Sequence, residues 1–466
     1  MKILTTIFLG FFCLFILHPL LQKGMFLDGI TYAAISKNLS LHIGNVWDLY
    51  YSKTVFPHFH EHPPLVFWLQ SKLFMLLGPE APAENVYCLI VVFFQLIIMS
   101  FFWVKELKYP PQTLCILGIF WLAIPLNHLY TQNILEGTLT LFTTLAGFLL
   151  LKKINLYRNA IFCAGAIVIG VMCNGPTALF PLAIPMLGKE AVLKKSARTC
   201  FLITLVIVFF GILFLLEPRI IDSLKQYLLV QLMPSISGQR SADSGLIHHF
   251  LIFKLYLRGC WIGCIIACVV FFIASHLEKK KVIILWKSAL QKTEVHLFLL
   301  ISLISSLPVG LSPRLNFNYI MQSGPWMTLC LSCLCLEPIL SIARYAQGHL
   351  KLLNRITMSF ALVALVYCLL SVGGYRRDSA MMEDINVLNN HLPQNEIIAT
   401  TPEVFFHYYE VAYFARYTTL SLTAEHDGAY FLTLKGKPLP SNYQQINLPL
   451  KYFVLSQKTT QYFPKP

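Results

Sequence analysis

Near its start the chain reads Phe26-Leu27-Asp28-Gly29-Ile30-Thr31-Tyr32-Ala33, which sets one carboxylate just beyond an apolar run. At the edge of a lipid layer a carboxyl group is partly desolvated, and its pKa rises toward values useful to a general base. The plainer reading is an acid solvated where a helix leaves the membrane. Between 56 and 69 the sequence is Phe-Pro-His-Phe-His-Glu-His-Pro-Pro-Leu-Val-Phe-Trp-Leu. Three histidines and Glu61 in so short a stretch have the composition of a metal site. In extended backbone, however, His58, His60 and His62 share one face and Glu61 takes the other, so one ion reaches all four only across a turn. The competing reading is a polar loop fixed by Pro63 and Pro64 ahead of an amphipathic helix. Glu136 opens an apolar run, where a helix N-terminus favours negative charge; a carboxylate so close to a membrane also calls for a partner. Lys254 and Arg258, four residues apart, share a helix face, and snorkelling to the interface explains them without any chemistry.

The elements that must position these groups follow from composition. Of 466 residues, 56% are hydrophobic and 12% charged, against about 25% charged in soluble domains. So much apolar surface exceeds what one soluble core of this length hides; a bilayer solvates the surplus. The formal charge of +14 raises the question of nucleic acid. The basic residues sit mostly in short gaps between apolar runs, as membrane topology requires, so no nucleic-acid partner is expected. Most of the 13 cysteines lie in apolar segments, where Cys acts as a small hydrophobe, and neither a disulfide framework nor a zinc finger is expected.

Runs near the ~20 residues that cross a bilayer fall at 3–22, 86–104, 112–130, 134–151, 159–173, 176–188, 199–216, 250–274, 295–311, 316–336 and 356–373. The Cys-Asn-Gly-Pro turn at 173–176 divides what would otherwise be one long helix. The first run, with Lys2 before it and no small-residue cleavage site after it, reads as a retained anchor. With the N-terminus in the cytoplasm, short inner loops hold 18 basic residues and the longer outer segments before 374 hold 10. The positive-inside rule favours that orientation, and eleven crossings put the C-terminus outside. The expected fold is therefore an all-α polytopic membrane domain over 1–373, with about eleven spanning helices and large outer loops at 23–85 and 217–249. The first loop, rich in aromatics and prolines, predicts short interfacial helices. A small α/β domain is expected over 374–466: a helix at 378–391, a strand at Ile397–Thr400, a helix at 402–414, and strands near 428–433 and 452–456.

Taken together, Asp28 with its Tyr-Ala helix start and the acid, cation and Pro-Pro-Leu some thirty residues on resemble the first outer loop of GT-C glycosyltransferases. The branch is that of the lipid A aminoarabinose transferases and protein O-mannosyltransferases. Four further stretches match in order: Leu135-Glu136-Gly137-Thr138-Leu139; Asn174-Gly175-Pro176; Gln239-Arg240 followed by His249 and Tyr256; and Arg314, Tyr319 and Pro325. The resemblance covers about 25–330. It implies inverting transfer of a sugar from a polyprenyl-phosphate donor to a lipid, glycan or protein acceptor on the outer face of a bacterial inner membrane, by a monomer among membrane lipids. Asp28 is then the base. Arg240, Arg314, Lys254, Arg258 and His62 face the donor phosphate, since guanidinium pairs with phosphate bidentately. Tyr32, Glu136 and Tyr319 position substrate. No cofactor is required, although Glu61 and His249, from two outer segments, have the chemistry to share a zinc ion.

The chain departs from that pattern in three places. Gly29 stands where a second acid is common, His62 where a lysine precedes Pro-Pro, and Asn174 where a lysine precedes Gly-Pro. Fewer fixed cations leave room for a different donor or for an inactive relative. A transporter or lipid flippase is the rival from another class. Transporters carry polar residues near mid-membrane, whereas here the spans are nearly free of ionisable side chains and the polar candidates crowd the outer loops.

Overall fold

A computed structural model describes residues 1–152, 156–187, 191–237, 246–311, 315–346, 350–425 and 428–459, with backbone alone for 156–157, 236, 246–250, 308, 311 and 350. Among the described residues, each of the eleven apolar runs is helical over most of its length. Lys2–Leu20, Ala83–Glu106, Val192–Leu216, Leu251–Glu278, Phe317–Tyr345 and Lys351–Leu370 are each long and apolar enough to cross a membrane. Pro111–Ala123 and Pro125–Gln132 form a pair bent by 76°, with Pro125 at the bend, where the preceding residue Ile124 is extended. Leu135–Leu151, Arg158–Asn174, Pro176–Leu187 and Thr293–Ser306 are shorter apolar helices. Pro176–Leu187 is a 3₁₀ helix containing Pro181 and Pro185. Its steeper rise of about 2 Å per residue gives twelve residues a reach of roughly 24 Å.

The chain folds as two compact units. The larger comprises Met1–Leu21, His60–Val66 and Cys88–Val372. Within it, helices Leu135–Leu151, Leu156–Asn174 and Val192–Leu216 meet through small residues, with Ala146, Ala160, Cys163, Ala164 and Ala166 buried together beside Ile167, Leu202 and Val206. Lipid tails are as apolar as leucine, so close backbone approach rather than burial from water drives such packing. Gly147 shows the same economy of space: a Cβ there would lie 2.6 Å from the ring of Trp326 on helix Gly324–Tyr345.

The smaller unit comprises Gln22–Phe59, Phe67–Tyr87 and Gly373–Pro466. It contains a five-stranded sheet of β1 (Ile397–Thr400), β2 (Ser421–Thr423), β3 (Tyr430–Leu434), β4 (Tyr443–Gln445) and β5 (Phe453–Lys458), in the order β2-β1-β3-β5-β4. β1 runs parallel to both β2 and β3, while β5 is antiparallel to β3 and β4. A parallel neighbour needs a crossover, and helices Pro402–Phe406 and Tyr409–Tyr417 supply the one between β1 and β2. These two replace the single expected helix at 402–414. The break falls at Tyr408, whose φ is +63°.

Helix Ser379–His391 is tied to the start of β5 by Asp384, whose carboxylate accepts the backbone N–H groups of Lys451, Tyr452 and Phe453 at 2.7–2.8 Å. The first outer loop carries helices Leu27–Ser40 and Leu65–Leu77. Leu27–Ser40 is buried along most of its length and packs against Tyr409–Tyr417. Ala33 on this helix forms a core cluster with Phe74 and Ala83. Lys23 pairs with the segment after the last span, exchanging backbone hydrogen bonds with Gly374 and Arg376 at 2.8 Å.

Candidate active site

In the smaller unit, Asp28 lies half-buried in the first turn of helix Leu27–Ser40, where the helix dipole favours its charge. Tyr32 follows four residues on, on the same face. It is buried, with its ring edge-on to Phe67 at 5.5 Å. The far end of this helix is anchored by a group the sequence reading did not single out. Lys37 is only 4% exposed, and its Nζ donates to the carbonyl oxygens of Arg416 at 2.8 Å and Thr418 at 3.1 Å. These carbonyls end helix Tyr409–Tyr417, where a cation is favoured. Burial, with the Arg416 charge close by, pulls the Lys37 ammonium down to about 7.

Arg416 is itself fully buried. Its guanidinium makes a fork to Glu84, Nε to Oε1 at 3.1 Å and Nη2 to Oε2 at 3.0 Å. It also donates to the carbonyls of Pro79 at 3.0 Å and Ala81 at 2.7 Å, and lies over Phe74 at 4.8 Å. A buried ion pair holds only when its remaining donors find partners, and here the Pro79 and Ala81 carbonyls supply two. The helix bearing Asp28 is thus clamped through Lys37 and Arg416 to the 79–84 segment. No spacing in the sequence marks either residue as part of a clamp.

In the larger unit, a second group of residues gathers around the 3₁₀ segment Phe317–Ser323. Glu136, 5% exposed, opens helix Leu135–Leu151, and Asn318 Nδ2 donates to its Oε1 at 2.7 Å. Tyr319 follows directly, close enough that it, together with burial as the larger cause, pushes the Tyr227 hydroxyl up to about 12. Tyr227 in turn contacts the Asn174-Gly175-Pro176 turn. Gly175 has φ +81°, and any Cβ there would run into the tyrosine Oη, so this turn needs glycine for both conformation and space. The Arg258 guanidinium lies over the Phe317 ring at 4.8 Å, a cation–π contact, and Lys254 is exposed one turn before it. Tyr256, between them, donates to Ser302 Oγ at 2.8 Å.

The fold therefore brings Glu136, Tyr319 and Arg258 to one segment of the larger unit and sets Asp28 with Tyr32 in the smaller. Glu61 and His62 are half-buried just ahead of helix Leu65–Leu77. His58 instead forms an exposed pair with Asp48 at 3.0 Å. Arg240, Arg314 and the His249 side chain lie outside the described residues. Among the described residues, no group of three His, Cys, Asp or Glu side chains is disposed to hold a metal ion.

No protein-family model and no curated protein matches the sequence. Solved structures do. ArnT from Cupriavidus metallidurans bound to undecaprenyl phosphate superposes with a TM-score of 0.64 at 10% identity, covering 97% of each chain. Its apo form gives 0.61 at 11% identity, covering 95% of this chain and 96% of that one. The apo oligosaccharyltransferase of Archaeoglobus fulgidus gives 0.49 at 8% identity, covering 90% and 64%. The chain has an ArnT-like fold: mostly helical, with several membrane-spanning candidates and a small C-terminal sheet.

Proposed function

We propose that this protein is a multi-pass membrane glycosyltransferase of GT-C type, which moves one sugar from a polyprenyl-phosphate donor to a hydroxyl of an envelope acceptor: lipid A, another glycan or a protein. The observation that carries this reading is the ArnT likeness over nearly the whole of both chains, together with the undecaprenyl phosphate held by that neighbour. The reaction runs at the outer face of the inner membrane, with the N-terminus cytoplasmic and the C-terminus periplasmic, as the distribution of basic residues favours.

The donor's prenyl tail stays in lipid and its phosphate-sugar sits at the interface. Asp28 takes the proton of the acceptor hydroxyl. The acceptor oxygen bonds to C1 of the sugar from the side opposite the phosphate. The C1–O bond breaks, polyprenyl phosphate leaves with the electron pair, and the configuration at C1 inverts. Arg240, Arg314, Lys254, Arg258 and His62 stabilise the phosphate charge as it develops, when such contacts accelerate the step most. Tyr32, Glu136 and Tyr319 orient the sugar and the acceptor. The bonds made and broken require no cofactor.

Asp28→Asn tests the assignment, because it keeps the shape and removes the base. Transfer, followed by mass spectrometry of envelope lipids and glycans with and without the gene, falls by at least about 10²-fold, while the thermal midpoint of the purified protein stays at the wild-type value. Undiminished transfer removes Asp28 from the role. Envelope lipids and glycans identical with and without the gene reject the transferase reading altogether.

A further inference from the structure

Helix Leu27–Ser40 is a short rod carrying Asp28 in its first turn and Lys37 near its end. The two are nine residues apart, about 13.5 Å along the axis. Held at Lys37 alone, the rod would carry Asp28 through roughly 2 Å for a tilt of about 10°. A misplacement of about 1 Å can already cost about 10²-fold in rate.

A second hold lies at the other end. The backbone N–H of Gly24, four residues before Asp28, donates to the Tyr417 hydroxyl. Gly24 is buried with φ +87°, and a Cβ there would lie 3.0 Å from the Tyr413 Oη and 3.2 Å from the Arg377 carbonyl oxygen. The chain therefore runs close against two tyrosines one helical turn apart, in a conformation that glycine adopts without strain. Their rings lie 6.1 Å apart at 16°. Tyr413 gives its hydroxyl hydrogen to Asp378 Oδ2 at 3.0 Å. The Tyr417 ring is held by the Arg416 guanidinium, 5.0 Å from its centre, the same group that forks onto Glu84. Helix Tyr409–Tyr417 and the residue after it thus meet the 24–37 segment at both ends: Tyr417 at Gly24, and the carbonyls of Arg416 and Thr418 at Lys37.

We propose that Tyr417 is a positioning residue for sugar transfer. Its bond to Gly24 fixes the leading end of the Asp28 helix, as Lys37 fixes the trailing end, so the C-terminal segment sets where the base stands without touching substrate. The inference rests on the reading of Asp28 as that base.

The test uses the purified full chain, supplied with detergent-solubilised membranes from cells lacking the gene as the source of donor and acceptor. Product is followed by mass spectrometry as the amount of membrane is varied. Tyr417→Phe keeps the ring and removes only the hydroxyl. The saturating rate falls about tenfold, while the half-saturating amount of membrane stays at the wild-type value, because donor contacts are untouched. Tyr452→Phe deletes a comparable phenol bond in the same unit, to Glu410 Oε1 at 3.0 Å, and transfers as wild type does. Lys37→Met frees the opposite end of the helix; it repeats the Tyr417→Phe result and replaces that variant should it fail to fold. Three results overturn the proposal: an undiminished saturating rate, a loss confined to the half-saturating amount, or equal losses in Tyr417→Phe and Tyr452→Phe, which would make the hydroxyl a matter of stability alone. Failure of the underlying reading looks different, since Asp28→Asn then transfers undiminished whatever Tyr417→Phe does.

Discussion

The two units solve the problem of holding helices together with opposite chemistry. In the smaller, Lys37, Glu84 and Arg416 are withdrawn from water and satisfied by one another and by backbone carbonyls. In the larger, helices meet through alanine, glycine and cysteine, and Asn318 donates to the buried carboxylate of Glu136. The contrast follows from the solvent each unit competes with. Ordered carbonyls and a rigid fork can replace water around an ion, whereas lipid offers an ion nothing, and packing must hold the helices there. Charge in the smaller unit therefore fixes geometry, and bulk in the larger one does.

The comparison breaks most visibly at Arg416. Arg416→Ala leaves Glu84 buried and unpaired, and costs about 3–5 kcal/mol. The expected readout is early proteolytic cleavage within 22–87 and 373–459, well before the spans are cut. Wild-type resistance there would mean the clamp contributes little. Next in size is Gly147→Leu, which drives a side chain into Trp326 and costs about 1–3 kcal/mol by overpacking; it lowers the thermal midpoint of the larger unit and leaves the 22–87 cleavage pattern as in wild type. A midpoint equal to wild type would show that the Trp326 ring gives way freely.

The smallest effect sharpens the contrast through pH. The Lys37 pKa is lowered on folding, from about 10.5 to about 7, so between these values the unfolded chain binds a proton that the folded chain does not. Stability attributable to Lys37 then rises with pH across that window and is flat below it. The neutral amine has two N–H donors and faces two carbonyls, so its hydrogen bonds survive loss of the charge. Between pH 7 and 9 the thermal midpoint of wild type climbs relative to that of Lys37→Met. A constant difference between the two would show that Lys37 stays charged.

Sequence periodicity located nearly all the helices because each needs an apolar stretch of its own. It also found β1, β3, β5 and helix Ser379–His391. It passed over β2 and β4, each three residues long, since alternation cannot be recognised over so few positions. It ran one helix through Tyr408, where no glycine or proline announces the turn to positive φ. In the candidate site, Glu136 declared its need for a partner by standing next to a membrane span. The partner did not declare itself, because Asn318 is 182 residues away and no spacing rule reaches so far. The clamp on the Asp28 helix escaped for the same reason. Lys37 looks like any helix lysine until the fold sets the end of another helix against it.

That separation also has a temporal side. Glu84 and Arg416 are 332 residues apart, and at roughly 5–20 residues per second of synthesis the glutamate waits some 15 to 65 s for its partner to be made. Throughout that interval the nascent Asp28 helix lacks its anchor while spans enter the membrane one after another. The smaller unit must be the last part of the molecule to mature, and a ribosome halted anywhere between the final span and Arg416 yields a fully inserted protein whose proposed catalytic helix has never been locked in place.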